Sequence, residues 1–296
     1  MRRGAIPALA LALLLPALSL AAPSSQDRGV HPRELSGLPS YVKRVEPSIV
    51  GLRVRAPENA VSSTRLGSRR FGSAVIFDAR GYAVTVSYLL LDAASLEARS
   101  RDGRRWEARL IALDLDAGLG VIKLEGAGPW AAAALGKSTD VVTGARTGTV
   151  GVDEDNDLVQ VTGAVHAIQP FSAYWEYMLD RALIVAPASP QWGGSAVVND
   201  RGEVVGIASL RLGEAPHVNL AIPIERFIPV KDELIAAGRI VSRPPRPWLG
   251  LYTVEGGGGV VVSETSPIGP AAAAGFLKGD RILRVNGVAV GSQREF

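Results

Sequence analysis

Short apolar runs rich in Val, Ile and Leu recur from Tyr41 onward, with glycine-punctuated turns between them. They fall at 49–54, 72–77, 82–88, 105–113, 119–124, 146–152, 158–168, 183–186, 196–198 and 203–209. This pattern predicts an all-β fold, with antiparallel strands closed into barrels or stacked as a sandwich. Asp102-Gly103 and Asp200-Arg201-Gly202 carry the turn chemistry of hairpins. One helix is expected near the end of this region. Pro223-Ile224 opens it, Ile228, Val230, Leu234 and Ile235 form its apolar stripe, and Gly238 stops it.

A Pro/Arg stretch, 241–247, reads as a linker to a second unit that starts at Trp248. That unit holds a Gly-rich loop at 256–259, a strand at 260–263, a short helix at 270–275 and an Asn286-Gly287 hairpin turn.

The first residues read as a targeting segment. Arg2 and Arg3 precede an apolar run from Ala5 to Leu20, which Ser19, Ala21 and Ala22 close. A signal peptide over 1–21, cut after Ala21 or Ala22, predicts an exported protein. That would be periplasmic in a Gram-negative bacterium, with no integral membrane segment after cleavage; an uncleaved anchor is the alternative. Residues 22–40 hold Pro, Ser, Gly and charge, and read as a flexible leader.

The formal charge of +3 includes Arg2 and Arg3; without them 30 of the 32 basic residues face 29 acidic ones. The basic balance is therefore no argument for nucleic acid, and the clusters at 65–70, 99–105 and 243–246 read as solvated loops or turns. The chain has no cysteine, so disulfides and thiolate sites are excluded. His31, His166 and His217 stand far apart, without metal-ligand spacing. No metal and no cofactor are expected.

Five strings, in order, carry a family signature. They are Gly72-Ser73-Ala74-Val75-Ile76-Phe77-Asp78 with Gly81-Tyr82-Ala83-Val84-Thr85; the stretch from Arg101-Asp102-Gly103-Arg104 to Asp116; the stretch from Ser189-Pro190 to Ile207; Ala221-Ile222-Pro223-Ile224; and Trp248-Leu249-Gly250-Leu251 with Gly279-Asp280-Arg281-Ile282-Leu283. Together they resemble the HtrA (high-temperature requirement) family of exported trypsin-like proteases with PDZ domains. The resemblance implies a trypsin-like double β-barrel with a C-terminal helix over 41–240, then a partial PDZ-like α+β domain over 248–296, truncated before the helix that walls its peptide groove. Such a half domain is expected to pack poorly on its own.

The departures from the family pattern are as specific. By resemblance, the catalytic histidine, aspartate and serine positions fall on Tyr88, Gly118 and Gly193. Serine attack needs a hydroxyl, a base beside it and a carboxylate that orients the base. Two glycines supply no side chain, and a phenol with a pKa of about 10 is a poor base near neutral pH. Gln191 replaces a loop glycine and would be strained at positive φ. Ser189 and Ser195 lie four before and two after the nucleophile position; two residues along an extended chain is about 6.5 Å, beyond attack range. Trp192 and Tyr88 are candidates to fill the vacated cleft.

The leading expectation is a catalytically inactive homologue that binds unfolded chains or C-terminal peptide segments, as chaperone or scaffold, in the cell envelope. The alternatives are an active endopeptidase with a non-standard nucleophile and a structural subunit of an oligomer with an active relative. By resemblance, Trp248, Leu249, Gly250 and Leu251 form the loop whose N–H groups receive a peptide carboxylate. The family's trimers place oligomer contacts in an N-terminal segment, for which 38–45 is the candidate.

Overall fold

The computed structural model describes residues 38–172, 177–244 and 247–296. The signal segment and nearly all of the expected leader lie outside these residues. The last part of that leader is already structural. Leu38 is buried, and Ser40 opens a helix, α1 (Ser40–Val45). Leu38, Val42 and Val45 all turn into the core of their own chain, so the apolar side chains of the candidate oligomer segment are used internally.

Twelve strands form two closed barrels. The first contains β1 (Ile49–Arg55), β2 (Arg69–Asp78), β3 (Tyr82–Val86), β4 (Ser95–Arg99), β5 (Arg105–Asp114) and β6 (Leu119–Leu124), in the order β1-β2-β3-β6-β5-β4. The second contains β7 (Arg146–Val152), β8 (Leu158–Ser172), β9 (Met178–Ala186), β10 (Ala196–Val198), β11 (Val204–Leu212) and β12 (Val218–Pro223), in the order β7-β8-β9-β12-β11-β10. Closure pairs every strand on both sides and leaves no open sheet edge. Register shifts in β2/β3, β5/β6, β8/β9 and β11/β12 supply the local bends that closure needs. Two short helices, α2 (Ser63–Leu66) and α3 (Ser87–Leu90), lie in barrel 1 connections.

The Val/Ile/Leu runs become the core. Leu52, Ile76, Leu119, Ile122 and Leu124 are fully buried in one cluster with Ile207, Leu220 and Ile222. The chain then returns to barrel 1. Phe227 meets the Phe77 ring edge-on at 4.8 Å, and α4 (Lys231–Ala237) buries Leu234. The expected single helix from Pro223 is divided into a 3-10 turn at Ile224–Arg226 and α4, because Pro229 has no N–H to continue the ladder. Gly238 ends α4 in the left-handed conformation, as its sequence position predicts.

After residue 247 comes a small α+β unit. Strands β13 (Leu251–Gly256) and β14 (Gly259–Thr265) pair, the short helix α5 (Pro270–Ala273) follows, and β15 (Arg281–Ile282) adds to β14. Strands β16 (Arg284–Val285) and β17 (Val288–Ala289) are joined by Asn286-Gly287, both at positive φ, as a tight two-residue turn requires. The core here is small: Val260, Val262, Ile282 and Val290. Ile268, Leu277, Leu283 and Val288 are exposed. No helix among the described residues is long and apolar enough to cross a membrane.

Candidate functional site

Tyr88, Gly118 and Gly193 come from three separate segments and meet where the barrels face each other. Tyr88 lies in α3, whose four residues are all buried. Gly118 lies in the turn from β5 to β6, and its carbonyl accepts the Ser87 N–H at 2.9 Å. Gly193 lies in the 187–195 loop of barrel 2, and its carbonyl accepts the Ser73 N–H of β2 at 2.8 Å.

Two tyrosine rings occupy the space between them. The Tyr88 hydroxyl donates to the Ser209 carbonyl at 3.0 Å. The Tyr177 hydroxyl and Ser209 Oγ share a hydrogen bond of 2.7 Å. Both rings are more than nine-tenths buried. A Cβ placed on Gly118 would fall 2.2 Å from Cδ1 of Tyr177, and one on Gly193 would fall 3.0 Å from the Tyr88 hydroxyl. Gly118 also has φ of +74°, which disfavours any side chain. As the chain is packed, no side chain fits at 118.

The expected partner of Tyr88 in this cleft is Trp192; the structure supplies Tyr177 instead. Trp192 packs outward against the barrel 2 cluster of Val141, Val197 and Val205, with the Arg211 guanidinium 5.9 Å from its ring centre. Sequence reasoning missed both Tyr177 and Ser209. Neither lies near the other site residues in sequence, so no local pattern marks them.

The loop's hydroxyls are held inside it. Ser195 is fully buried and donates to the Gln191 carbonyl. Ser189, equally buried, accepts the Gln191 N–H on its Oγ at 3.3 Å. Gln191 has no positive φ, so the strain expected there is absent; the left-handed position of this loop is Gly194, at +82°. Two candidate bases are used elsewhere. Lys123 donates to the Leu124 carbonyl and lies over the Trp130 and Tyr82 rings, and His217 Nδ1 is 2.8 Å from the Gly213 carbonyl. Among the described residues, no group of three His, Cys, Asp or Glu could hold a metal.

The nearest buried carboxylate is Asp114. It accepts the Ala117 N–H at 3.2 Å and pairs with Arg243 at 2.8 Å, tying the linker to the turn that presents Gly118.

At the second candidate site, Trp248 and Leu249 are exposed, Gly250 is buried and Leu251 begins β13. The Leu249 and Gly250 carbonyls accept the Ala271 and Ser266 N–H groups at 3.0 and 2.8 Å, seating the loop against α5. Gly250 has φ of +70°, and a Cβ there would be 2.9 Å from Gly269 Cα. β13 has one strand neighbour, β14. Gln293 approaches β13, with its N–H 2.9 Å from the Glu255 carboxylate.

A trypsin-like peptidase domain model matches residues 72–207, and a PDZ domain model matches residues 247–296. The serine endoprotease DegS of Escherichia coli strain K12 is 31% identical over 271 residues, spanning 83% of this chain and 73% of the relative. The chain belongs to the HtrA/Deg-like family of serine proteases. A probable periplasmic DegP-like serine endoprotease of Ectopseudomonas mendocina is 29% identical over 273 residues, spanning 86% of this chain and 55% of the relative. Among solved structures, the HtrA-type protease AlgW with a tripeptide aligns with a TM-score of 0.59 at 25% identity, covering 86% of each chain. The double barrel followed by a PDZ unit is thus the HtrA architecture that the five strings implied.

Proposed function

We propose that this HtrA-family chain is a non-cleaving member that binds peptide segments of other proteins in the cell envelope. In this reading Tyr88, Gly118 and Gly193 stand at the family's catalytic positions, and the cleft between the barrels is a packed core. The observation that carries it is the Tyr177 ring, which occupies the space that any side chain on Gly118 would need. Acyl transfer needs a nucleophile and base within hydrogen-bond reach. Here the corresponding space holds two phenols bonded to Ser209.

Binding is assigned to the PDZ unit. A loop at 248–251 next to a strand with one neighbour suits the addition of a peptide strand and capture of its carboxylate. The HtrA-type protease AlgW, solved with a tripeptide, supports this by analogy. The exported, periplasmic location is proposed from the signal segment at 1–21 and from likeness to a probable periplasmic endoprotease, the DegP-like relative.

The test is direct. Purified chain is incubated with a fluorophosphonate probe and with unfolded casein, trypsin serving as the positive control. Neither labelling nor cleavage is expected. A covalent adduct on any serine, or casein fragments that increase with time, overturns the reading. In parallel, a labelled peptide with a free apolar C-terminus is compared with its C-terminal amide. The free acid should bind more tightly, and Gly250→Val should remove the difference.

A further inference from the structure

The outer face of barrel 1 carries a concavity of about 760 Å³ between β1, β4 and β5, apart from both sites above. Its charges form three rows across the sheet. Arg55 is opposite Ser95. In the next row Arg53, Glu97 and Glu107 are aligned. In the third, Arg99 is directly opposite Arg105. Successive rows are two residues apart, about 6.6 Å along the strands.

Two of these rows oppose like charges, Glu97 with Glu107 and Arg99 with Arg105. Like charges directly across a ladder destabilise a sheet. Arg53, the one opposite charge across from Glu97, is turned elsewhere: its guanidinium donates to the Glu154 carbonyl and lies 5.5 Å from the Phe71 ring centre. The arrangement has no internal remedy. Among the described residues, Arg55, Arg99, Arg105, Glu97 and Glu107 form no ion pair with any neighbour, and Arg99 Nε is buried with no hydrogen-bond partner. A face built at this cost presents a pattern to something outside it.

We propose that this face binds an extended peptide segment with two acidic residues four positions apart and a basic residue midway between them. The acidic side chains would lie over Arg55 and over the Arg99–Arg105 pair, and the basic one over Glu97 and Glu107. An extended strand places side chains i, i+2 and i+4 on one face at the spacing of these rows. A continuous polyanion suits the face less well, because the middle glutamates repel its centre.

The test uses fluorescence polarisation on the full chain. The labelled peptide Gly-Glu-Ser-Lys-Ser-Glu-Gly is compared with the same residues reordered as Gly-Lys-Ser-Ser-Glu-Glu-Gly, and inorganic polyphosphate serves as competitor. The patterned peptide should bind at least about tenfold more tightly than the reordered one. Its binding should weaken as salt rises. Arg55→Glu with Arg105→Glu, both at exposed positions, should lower its affinity by at least about tenfold without lowering the melting temperature, since the new carboxylate at position 105 would face Arg99. Glu107→Lys should shift preference toward Gly-Glu-Ser-Glu-Ser-Glu-Gly, an outcome that a merely sticky basic surface does not give. Equal binding of the two orderings, indifference to the double reversal, or tighter binding of polyphosphate at the same face overturns the proposal.

Discussion

Gly118 and Tyr177 share one space, so the residue type tolerated at either depends on the other. Gly118→Ala should therefore cost about 2–4 kcal/mol, part from a left-handed backbone carrying a Cβ and part from contact with the ring. In a Tyr177→Ala background the same change should cost about 1–2 kcal/mol, the backbone share alone. Urea denaturation of the four proteins in this cycle measures the coupling. Additive costs would mean that the ring does not occupy the space beside Gly118. Tyr177→Phe, which loses the bond to Ser209 Oγ, should cost about 1 kcal/mol by the same measurement. At this scale the sequence was legible in what it lacked. The glycines at 118 and 193 are plain in the sequence. The ring that packs beside Gly118 is not, because Tyr177 precedes β9 and reaches the cleft through barrel closure, which no local pattern encodes. Trp192 was the natural candidate by proximity in sequence, but the loop directs it to a different apolar cluster.

Elements follow sequence pattern where the local signal is backbone chemistry, and depart from it where one residue interrupts the pattern. The turns at Gly103, Gly202 and Asn286-Gly287 all occur at positive φ, where their residues predict them. The helix after Pro223 shows the opposite case: its apolar stripe is continuous, yet Pro229 divides it. At the far end of α4, Glu233 fastens the start of the linker. Its carboxylate accepts the Val241 and Ser242 N–H groups and the Ser242 hydroxyl. The hydroxyl bond from Ser242 is the main cause that holds the Glu233 carboxyl below its usual range, followed by the Ser242 N–H. A carboxyl depressed in the folded state contributes stability above its unfolded pKa, and that contribution is lost as pH falls through the folded value. The Val241 and Ser242 amide resonances should accordingly keep their shifts as pH falls through about 4.3, the ordinary glutamate value, and move below it. Movement centred at or above that value would show that the clamp is not formed in solution. Glu233→Gln should remove the transition at both amides.

The whole molecule is two units of unequal cohesion, and the difference is electrostatic as much as hydrophobic. The barrels share a large buried cluster, while the unit after residue 247 has four buried apolar residues at its centre. Contacts from that unit to the barrels include the Arg65–Glu264 and Arg294–Asp180 ion pairs and the Arg65 guanidinium over the Tyr252 ring at 5.0 Å. All four ion-pairing side chains are at least 41% exposed. Pairs this exposed contribute about 0–1 kcal/mol each and are screened by salt. Arg243 differs, because it meets a nearly buried Asp114 whose second oxygen has no partner. Removing one member of such a pair strands the other charge. Arg243→Met should thus destabilise barrel 1 by about 1–3 kcal/mol, discounted for the partly exposed guanidinium. Breaking the exposed Arg104–Asp102 pair by Arg104→Met should cost less than about 1 kcal/mol. Salt separates the two kinds of contact. Raising it from about 0.05 to about 0.5 M shortens the screening length roughly threefold, which weakens the exposed pairs far more than the buried one. Small-angle scattering should then show a larger radius of gyration for the wild-type chain, with barrel denaturation midpoints little changed. A radius that stays constant across that range would mean that apolar contact, not these ion pairs, holds the second unit in place.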